Sequence, residues 1–257
     1  MPRRLKAAFY GRGTRLLSVS DFPALRNTPR PRASSRTERE PCQAPLYFAG
    51  ETVYFSLKEE VMEKACTWCL SHELLRRYHD TEWGVPVHDD RLLFEHLMLE
   101  VMQCGLSWLL MLKKRDIFRR VLADFQAEEL AAFTERDIEA ALLAPGMIRS
   151  RRKVESVAAN ARAYLAMQKE FGSFHEWLWN FTDGRMLVYA GHDGAVPAKN
   201  ALSDRISMEL KARGFRHLGS ITVYSMLQAC GIINDHERSC PRFHAVMQGA
   251  KVAWIDG

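Results

Sequence analysis

The sequence predicts an all-α fold, and three observations support this prediction. From Ala65 onward, apolar residues recur at helical spacing in one segment after another. Short turns rich in glycine or proline separate these segments. The composition, 47% hydrophobic and 26% charged over 257 residues, is that of a globular chain able to form one large core or two smaller ones.

The most apolar predicted helix lies at the start of residues 91–115, where apolar side chains nearly encircle the segment that ends at Met102. This pattern indicates a helix buried on most sides. Glu100 lies in the middle of that apolar surface. A buried carboxylate is normally either paired or used in function. Glu100 is therefore expected to lie on a polar strip, to pair with a nearby arginine, or to serve as a functional carboxylate.

The residues that follow Glu100 favour the functional interpretation. A turn glycine, an apolar residue and an indole come next, as Gly105, Leu106 and Trp108, and a basic cluster begins at Lys113. A carboxylate, an aromatic face, an apolar wedge and basic side chains are the parts needed to extract and hold a nucleobase. This stretch is predicted to form a nucleobase-binding site.

The remaining secondary structure is predicted from the same periodicity. Helices are expected over residues 116–122, 127–133, 135–143, 149–171, 174–181, 204–213 and 222–233. Residues 183–199, rich in glycine, alanine and proline, are predicted to form a loop. The one segment expected to contain short strands is LYFAGETVYFSL, residues 46–57.

Two of these helices flank a short hairpin, APGMI at 144–148, and the second helix begins with RSRRK at 149–153. This spacing is typical of a helix-hairpin-helix element, in which backbone N–H groups at a helix start bind a DNA phosphate. The alternative is a plain corner between two helices with solvated arginines. On the first interpretation, the DNA contacts come from Gly146, Ser150, Arg152 and Lys153.

The net charge of +5 is not by itself evidence for a nucleic-acid surface. Residues 1–40 hold ten basic and three acidic residues, so this segment carries +7 and the remaining 217 residues carry −2. Any DNA-binding face must therefore be a local patch. Residues 1–61 are predicted to be a flexible basic extension: a DNA-binding arm, an organelle-type presequence, or sequence upstream of a true start at Met62.

No apolar run approaches the roughly 18 residues that a membrane-spanning helix needs, and we expect a soluble protein without a membrane partner. Six cysteines at irregular positions do not resemble the disulfide framework of a small secreted fold. Metal binding or burial is therefore the expected role of these thiols.

Cysteine and histidine residues with ligand-like spacing occur at both ends of the folded part. His236 and Cys240 form an HxxxC pair near the end, and Cys66, Cys69 and His79 lie near the beginning. A tetrahedral zinc site with four such ligands has no open position and would be structural. Spacing alone leaves open whether Cys66 is joined by His79 or by Cys69. Unconnected buried thiols and surface histidines are the alternative.

Five motifs occur together in the chain: YHDTEWGVP (78–86), LEVMQCGLSW (99–108), LKKR (112–115), PGMIRSRRKVESVAANARAY (145–164) and GFRHLGSITVYSMLQACGIINDH (214–236). With this set, the sequence resembles the 3-methyladenine DNA glycosylase I family of helix-hairpin-helix base-excision enzymes. The resemblance covers about residues 64–240. It implies a helix-hairpin-helix glycosylase bundle over residues 62–245, followed by a tail at 246–257.

The resemblance also implies the roles of individual residues. Glu100 is implied as the catalytic residue and as the base-binding carboxylate, with Tyr78 and Trp108 as the other base-binding residues. Leu106 is implied at the gap in the duplex. A structural zinc clamp joining the ends of the domain is implied at Cys66, His79, His236 and Cys240. These assignments make Cys69 a neighbour of the metal rather than a ligand.

The implied activity is monofunctional hydrolysis of the N-glycosidic bond of 3-methyladenine, with the base flipped out of alkylated double-stranded DNA. A monomer acting on nucleoid DNA in the cytoplasm is expected.

Three residues depart from the family pattern. At Leu75 a second pocket aromatic is expected, and Cys104 and Arg152 replace small residues. The alternatives are a zinc-stabilised DNA-binding module without activity, and a thiol redox protein that uses Cys66 and Cys69, which lacks the βαβ context of such motifs.

Overall fold

The computed structural model describes residues 65–192 and 196–256 of the chain. These residues are mainly helical, as predicted. The helices are α1 (Glu73–Thr81), α2 (Asp90–Gln103), α3 (Trp108–Val121), α4 (Ala127–Ala131), α5 (Glu135–Leu143), α6 (Arg151–Phe171), α7 (Phe174–Trp179), α8 (Ala201–Ala212), α9 (Ser220–Ala229) and α10 (Pro241–Ala245). The strands are β1 (Met186–Tyr189) and β2 (Val252–Ile255). The extension at 1–61 and the strands expected at 46–57 lie outside the described residues.

Helix α2 is the centre of the hydrophobic core. Ten of its fourteen residues are buried, and it packs against α3, α6, α7 and α9. The helix begins at Asp90 because the Asp89 side chain accepts a hydrogen bond of 2.8 Å from the backbone N–H of Leu92. Burial on nearly all sides confirms the interpretation of its apolar pattern.

Helix α2 carries a second buried carboxylate, Glu95, one and a half turns before Glu100. Arg115 Nε and Arg119 Nη2 each lie 2.7 Å from Glu95 Oε1, and Arg115 Nη1 lies 2.7 Å from Glu82 Oε2. The ion pair considered for Glu100 is thus made by Glu95. The basic cluster at 113–115 is also internal in part, because Arg115 is half-buried and held in these pairs; the exposed member is Lys113.

The prediction of a loop over residues 183–199 is wrong in one part, because β1 lies within it. Strand β1 pairs in parallel with β2, in the register Met186 to Val252 and Tyr189 to Ile255. β2 lies within the segment 246–257 that was expected to be a tail. A strand of four residues between turns gives little periodicity, and its partner is distant in sequence, so neither strand was predicted.

Candidate active site and metal centre

An open cavity of about 300 Å³ lies beside α2, between α1, α3 and the end of α9. The described residues that line it are Trp68, Tyr78, Trp83, Glu100, Gln103, Trp108, Val196, Ser225, Gln228, Ala229 and Asp235. The structure therefore brings the three predicted base-binding residues, Tyr78, Glu100 and Trp108, to one cavity. Its wall is largely aromatic and apolar, with a few polar groups, as is usual for small-molecule sites.

The Glu100 carboxyl group is the ionisable group of this cavity whose environment is most unusual. The residue is 4% exposed, and its side chain has no hydrogen-bond or ion-pair partner among the described residues. Burial raises the pKa of Glu100 to about 8. A buried carboxyl group without an internal partner is suited to an external, cationic one.

Aromatic side chains line the same cavity as this carboxyl group. The rings of Tyr78 and Trp108 lie 5.3 Å apart between centroids, and the buried indole Nε1 of Trp108 has no hydrogen-bond partner among the described residues. Burial, together with the charges of Glu82 and Glu100, raises the pKa of Tyr78 well above its ordinary value, so the phenol stays neutral. The cavity thus offers stacking faces and a carboxyl group.

Two further tryptophans line the cavity and were not predicted. Trp68 and Trp83 lie 5.1 Å apart between centroids with their planes at 75°. The expected aromatic position, Leu75, instead packs against Trp108 in a small cluster and is not among the lining residues. The sequence carried a usable signal, because both tryptophans lie within four residues of a predicted metal ligand, Cys66 or His79.

The four predicted metal ligands lie together and are all buried, with their ligand atoms within 4.8 Å of one another. His236 Nδ1 lies 3.2 Å from His79 Nε2 and 3.5 Å from Cys66 Sγ. Cys240 Sγ lies 3.4 Å from His79 Nε2 and 3.9 Å from His236 Nδ1. Adjacent ligands of a tetrahedral zinc ion are separated by roughly 3.3–3.8 Å, so this donor set fits such an ion.

Hydrogen bonds fix the orientation of both imidazoles. His79 Nδ1 is 2.7 Å from Asp80 Oδ1, and His236 Nε2 is 3.1 Å from the carbonyl oxygen of Trp83, which leaves the other nitrogen of each ring facing the cluster. Burial, with His79 nearby, lowers the pKa of His236 to about 3, and burial lowers the pKa of His79. Both rings are therefore neutral at pH 7, which is the form that binds metal.

The remaining thiol, Cys69, lies outside this cluster. Its Sγ donates a hydrogen bond of 3.0 Å to the carbonyl oxygen of Cys66. Gly84 borders the cluster on another side, where a Cβ atom would lie only 2.8 Å from His236 Nε2. The chain therefore approaches His236 closely at a position that glycine allows.

The metal cluster and the cavity share a wall. Trp83 lies 4.5 Å from His236 between ring centroids, and Trp68 lies 5.5 Å from His79. The 3-10 turn Thr67–Ser71, which begins directly after Cys66, carries Trp68. Any ion that fixes the four ligands would also fix the position of two tryptophans of the cavity.

The predicted DNA-binding residues lie at two turns. Gly105, with φ of 76°, and the half-buried Leu106 form the turn between α2 and α3. Gly146, with φ of 81°, lies in the hairpin between α5 and α6, where its carbonyl oxygen accepts a hydrogen bond from Lys114 Nζ. A β-carbon at Gly146 would also contact Ile117, so the hairpin fits closely against α3.

The basic residues at the start of α6 have different roles. Lys153 Nζ donates to the carbonyl oxygens of Met102 and Cys104, at 2.6 and 2.8 Å, and so caps the C-terminal end of α2. Arg152 is exposed and has no side-chain partner among the described residues. Ser150 is the N-cap residue of α6, but its hydroxyl makes no capping hydrogen bond. Of the predicted contacts, Arg152 and Ser150 remain available to a phosphate, whereas Lys153 is used internally.

Comparison with known proteins identifies the family of this architecture. The profile of the Methyladenine glycosylase family matches residues 68–244. The DNA-3-methyladenine glycosylase of Haemophilus influenzae is 39% identical over 181 residues, which is 70% of this chain and 98% of the relative. The DNA-3-methyladenine glycosylase 1 of Escherichia coli is 39% identical over 176 residues, 68% of this chain and 94% of the relative.

Solved structures indicate the same family as these relatives. A crystal structure of 3-methyladenine DNA glycosylase I has a TM-score of 0.66 at 41% identity, covering 69% of this chain and 98% of that one. A structure concerning 3-methyladenine recognition by the Staphylococcus aureus enzyme has a TM-score of 0.66 at 32% identity, covering 68% and 94%. The chain therefore belongs to the 3-methyladenine DNA glycosylase I family, whose members are hydrolases that act on N-glycosyl bonds.

Proposed function

We propose that this protein removes 3-methyladenine from alkylated double-stranded DNA by hydrolysing the N-glycosidic bond, with the base flipped into the cavity beside Glu100. The observation that carries this proposal is a buried carboxyl group that has no partner among the described residues, in a cavity lined by the aromatic residues Tyr78, Trp108, Trp68 and Trp83. The names of the relatives support the substrate, since they are described as DNA-3-methyladenine glycosylases.

The chemistry of the substrate matches the cavity. Methylation at N3 makes adenine cationic, which weakens the N-glycosidic bond and makes the base a good leaving group. A cation stacked between aromatic faces gains on the order of 1–2 kcal/mol when desolvated. The ionised Glu100 would accept the N–H groups of the base and stabilise its positive charge, whereas an unmethylated, neutral purine gains less from that charge.

Water is the proposed nucleophile. It would attack the sugar carbon as positive charge develops on the sugar ring, so that the free base leaves and an abasic site remains. No lysine is among the described residues that line the cavity, which supports monofunctional hydrolysis over Schiff-base chemistry.

The DNA would be held at the two turns. In this proposal, Leu106 fills the space that the flipped nucleotide leaves, and Gly105 allows its turn to approach the duplex. The hairpin with Gly146, together with Ser150 at the start of α6, would bind a phosphate as a helix-hairpin-helix element. Arg152, exposed on the first turn of α6, would also contact the DNA backbone. Lys113 is an exposed basic residue one turn into α3 and would add a further phosphate contact. Lys153 would act indirectly, by fixing the turn that follows α2.

A zinc ion is the proposed occupant of the cluster of Cys66, His79, His236 and Cys240. Two thiolates and two neutral imidazoles are a usual donor set for zinc, and four protein ligands make the site structural. These residues come from both ends of the described chain, so the bound ion would hold the segments that carry Trp68 and Trp83 at the cavity wall.

The test is release of free bases from methylated duplex DNA, measured by chromatography for the parent protein and for Glu100→Gln. The parent protein should release 3-methyladenine, and Glu100→Gln should release it at least tenfold more slowly, because hydrogen bonds to a charged group contribute about 1.5–3 kcal/mol. A parent protein that binds the DNA but releases no base would contradict the proposal and favour a DNA-binding module without activity.

A further inference from the structure

The loop at residues 214–219, between α8 and α9, is held by an unusual number of buried polar contacts. The fully buried Asn160 donates to the carbonyl oxygen of Arg216 at 3.1 Å and accepts from its backbone N–H at 2.7 Å. Ser207 Oγ donates to the carbonyl oxygen of Leu218 at 2.7 Å. The loop is therefore ordered by polar side chains on α6 and α8, and this order fixes what it displays.

The loop displays two side chains, Arg216 and His217. Arg216 is exposed, and its guanidinium has no partner among the described residues. His217 has a left-handed φ of 57°, and its Nδ1 lies 2.8 Å from Ser156 Oγ, so the direction of the ring is fixed. The rigidity of the loop thus places an arginine that has no use within the described part of the chain.

Arg216 belongs to a cluster of positive charges. Ser156 Oγ, which contacts His217 Nδ1, donates to the carbonyl oxygen of Arg152 at 2.6 Å, and Arg216 precedes His217 in the chain. Burial, together with the positive charges of Arg152, Lys153 and Arg216, lowers the pKa of His217, and no carboxylate of the described residues offsets these charges. Like charges at close range repel one another, and neighbouring arginines on this protein are paired with acids instead: Arg213 with Glu170, and Arg151 with Glu135. An ordered cluster of cations without an acid is suited to an anion.

The position of this cluster suggests which anion. Cys104 Sγ donates to the carbonyl oxygen of His217 at 3.7 Å, and Lys153 Nζ binds the carbonyl oxygen of Cys104. The cluster therefore borders the turn that carries Gly105 and Leu106. A duplex with Leu106 in its base stack would bring backbone phosphates to this side of the turn.

We propose that Arg216 and Arg152, on either side of His217, form a second phosphate-binding site for the DNA strand next to the flipped nucleotide. This inference rests on the proposed function, because it assumes that DNA approaches the Gly105–Leu106 turn. It adds Arg216 and the 214–219 loop to the DNA-binding surface, and it separates Arg152 from the phosphate contact of the hairpin backbone.

The test is the salt dependence of binding to a duplex that contains a tetrahydrofuran abasic-site analogue, with two matched pairs of variants. Arg216→Ala and Arg152→Ala should each weaken binding by on the order of tenfold and lower the slope of log K against log salt by about 0.9. The controls are Arg213→Ala, three positions from Arg216, and Arg151→Ala, one position from Arg152. Each control removes one positive charge from an arginine that is paired with an acid, and each should leave the slope unchanged. Arg216→Lys should restore most of the slope.

The thermal midpoint of each variant shows whether the loop still folds. A well-folded Arg216→Ala protein with the parent slope would overturn the proposal, as would an equal loss of slope in Arg213→Ala. The binding measurement involves no bond cleavage, so it is independent of base release by Glu100→Gln. Failure of the glycosylase proposal and failure of the phosphate site are therefore distinguished.

Discussion

Glu100→Gln should stabilise the unliganded protein, and the gain should grow with pH. Burial raises the pKa of Glu100 from 4.5 to about 8, and no partner in the described part of the chain offsets the cost of ionising it. At pH values between 4.5 and about 8, the folded state binds more protons than the unfolded state. The free energy of unfolding of the parent protein therefore falls as pH rises through this window. Glutamine keeps the shape of the side chain without the ionisation.

The size of the effect follows from the two pKa values. At 1.36 kcal/mol per pH unit, the interval from 4.5 to about 8 corresponds to roughly 5 kcal/mol, fully present only above pH 8. By proton linkage, the loss of folding free energy caused by the raised pKa of Glu100 is roughly 3 kcal/mol at pH 7 and almost nothing below pH 4.5. The difference in unfolding free energy between Glu100→Gln and the parent should therefore grow by roughly 2–3 kcal/mol from pH 6 to pH 9.

Urea denaturation of both proteins at pH 6, 7.5 and 9 measures this difference. Comparison at each pH cancels the titration of groups that the two proteins share. Glu95→Gln is the matched control, since Glu95 is also buried on α2 but is paired with Arg115 and Arg119. It should lose about 3 kcal/mol, because two arginines lose their buried partner. A difference between Glu100→Gln and the parent that does not change with pH would refute the argument.

Three further predictions concern the cavity wall, the metal and the extension. Trp108→Ala should slow excision by about 5- to 150-fold, because it removes a stacking face worth roughly 1–3 kcal/mol. The control, Trp254→Ala, removes an exposed indole on β2 and should not slow excision. Equal rates for the two variants would contradict the stacking role of Trp108. Elemental analysis should find about one zinc per chain in the parent and in Cys69→Ser, and much less in Cys240→Ser; loss of zinc in Cys69→Ser would move a ligand to that thiol. A chain that begins at Met62 should fold and excise with at most a weaker, salt-dependent DNA affinity, and an insoluble product would show that residues 1–61 are needed for folding.

The features that the sequence predicted well are those encoded locally. A helix apolar on all sides must be buried, so the central position of α2 and the burial of Glu100 could be read from the periodicity of one segment. The HxxxC spacing of His236 and Cys240 likewise indicated half of the metal cluster. At the other end of the domain, spacing indicated Cys66 in both alternatives, and the choice of His79 over Cys69 required the family resemblance.

The features that were missed depend on contacts between distant segments. A run of basic residues does not show which members are used internally. Arg115 is used internally because it pairs with Glu95 and Glu82 from two other segments, and Lys153 caps α2 because the start of α6 lies at its end. Trp68 reaches the cavity only because the chain folds around Cys66. In each case, tertiary position decides the role of a side chain whose type alone is ambiguous.

The most direct test of the central claim, that the ionised Glu100 binds the cationic base, is the pH dependence of kcat/KM for release of 3-methyladenine from alkylated duplex DNA. For the parent protein, kcat/KM should rise with pH, reach half of its maximum near pH 8, where half of the free enzyme carries an ionised carboxyl group, and level off about one pH unit higher. Glu100→Gln should be at least tenfold slower at pH 8 and should lack this rise. A glutamine variant with the parent rate and the parent pH profile would contradict the account.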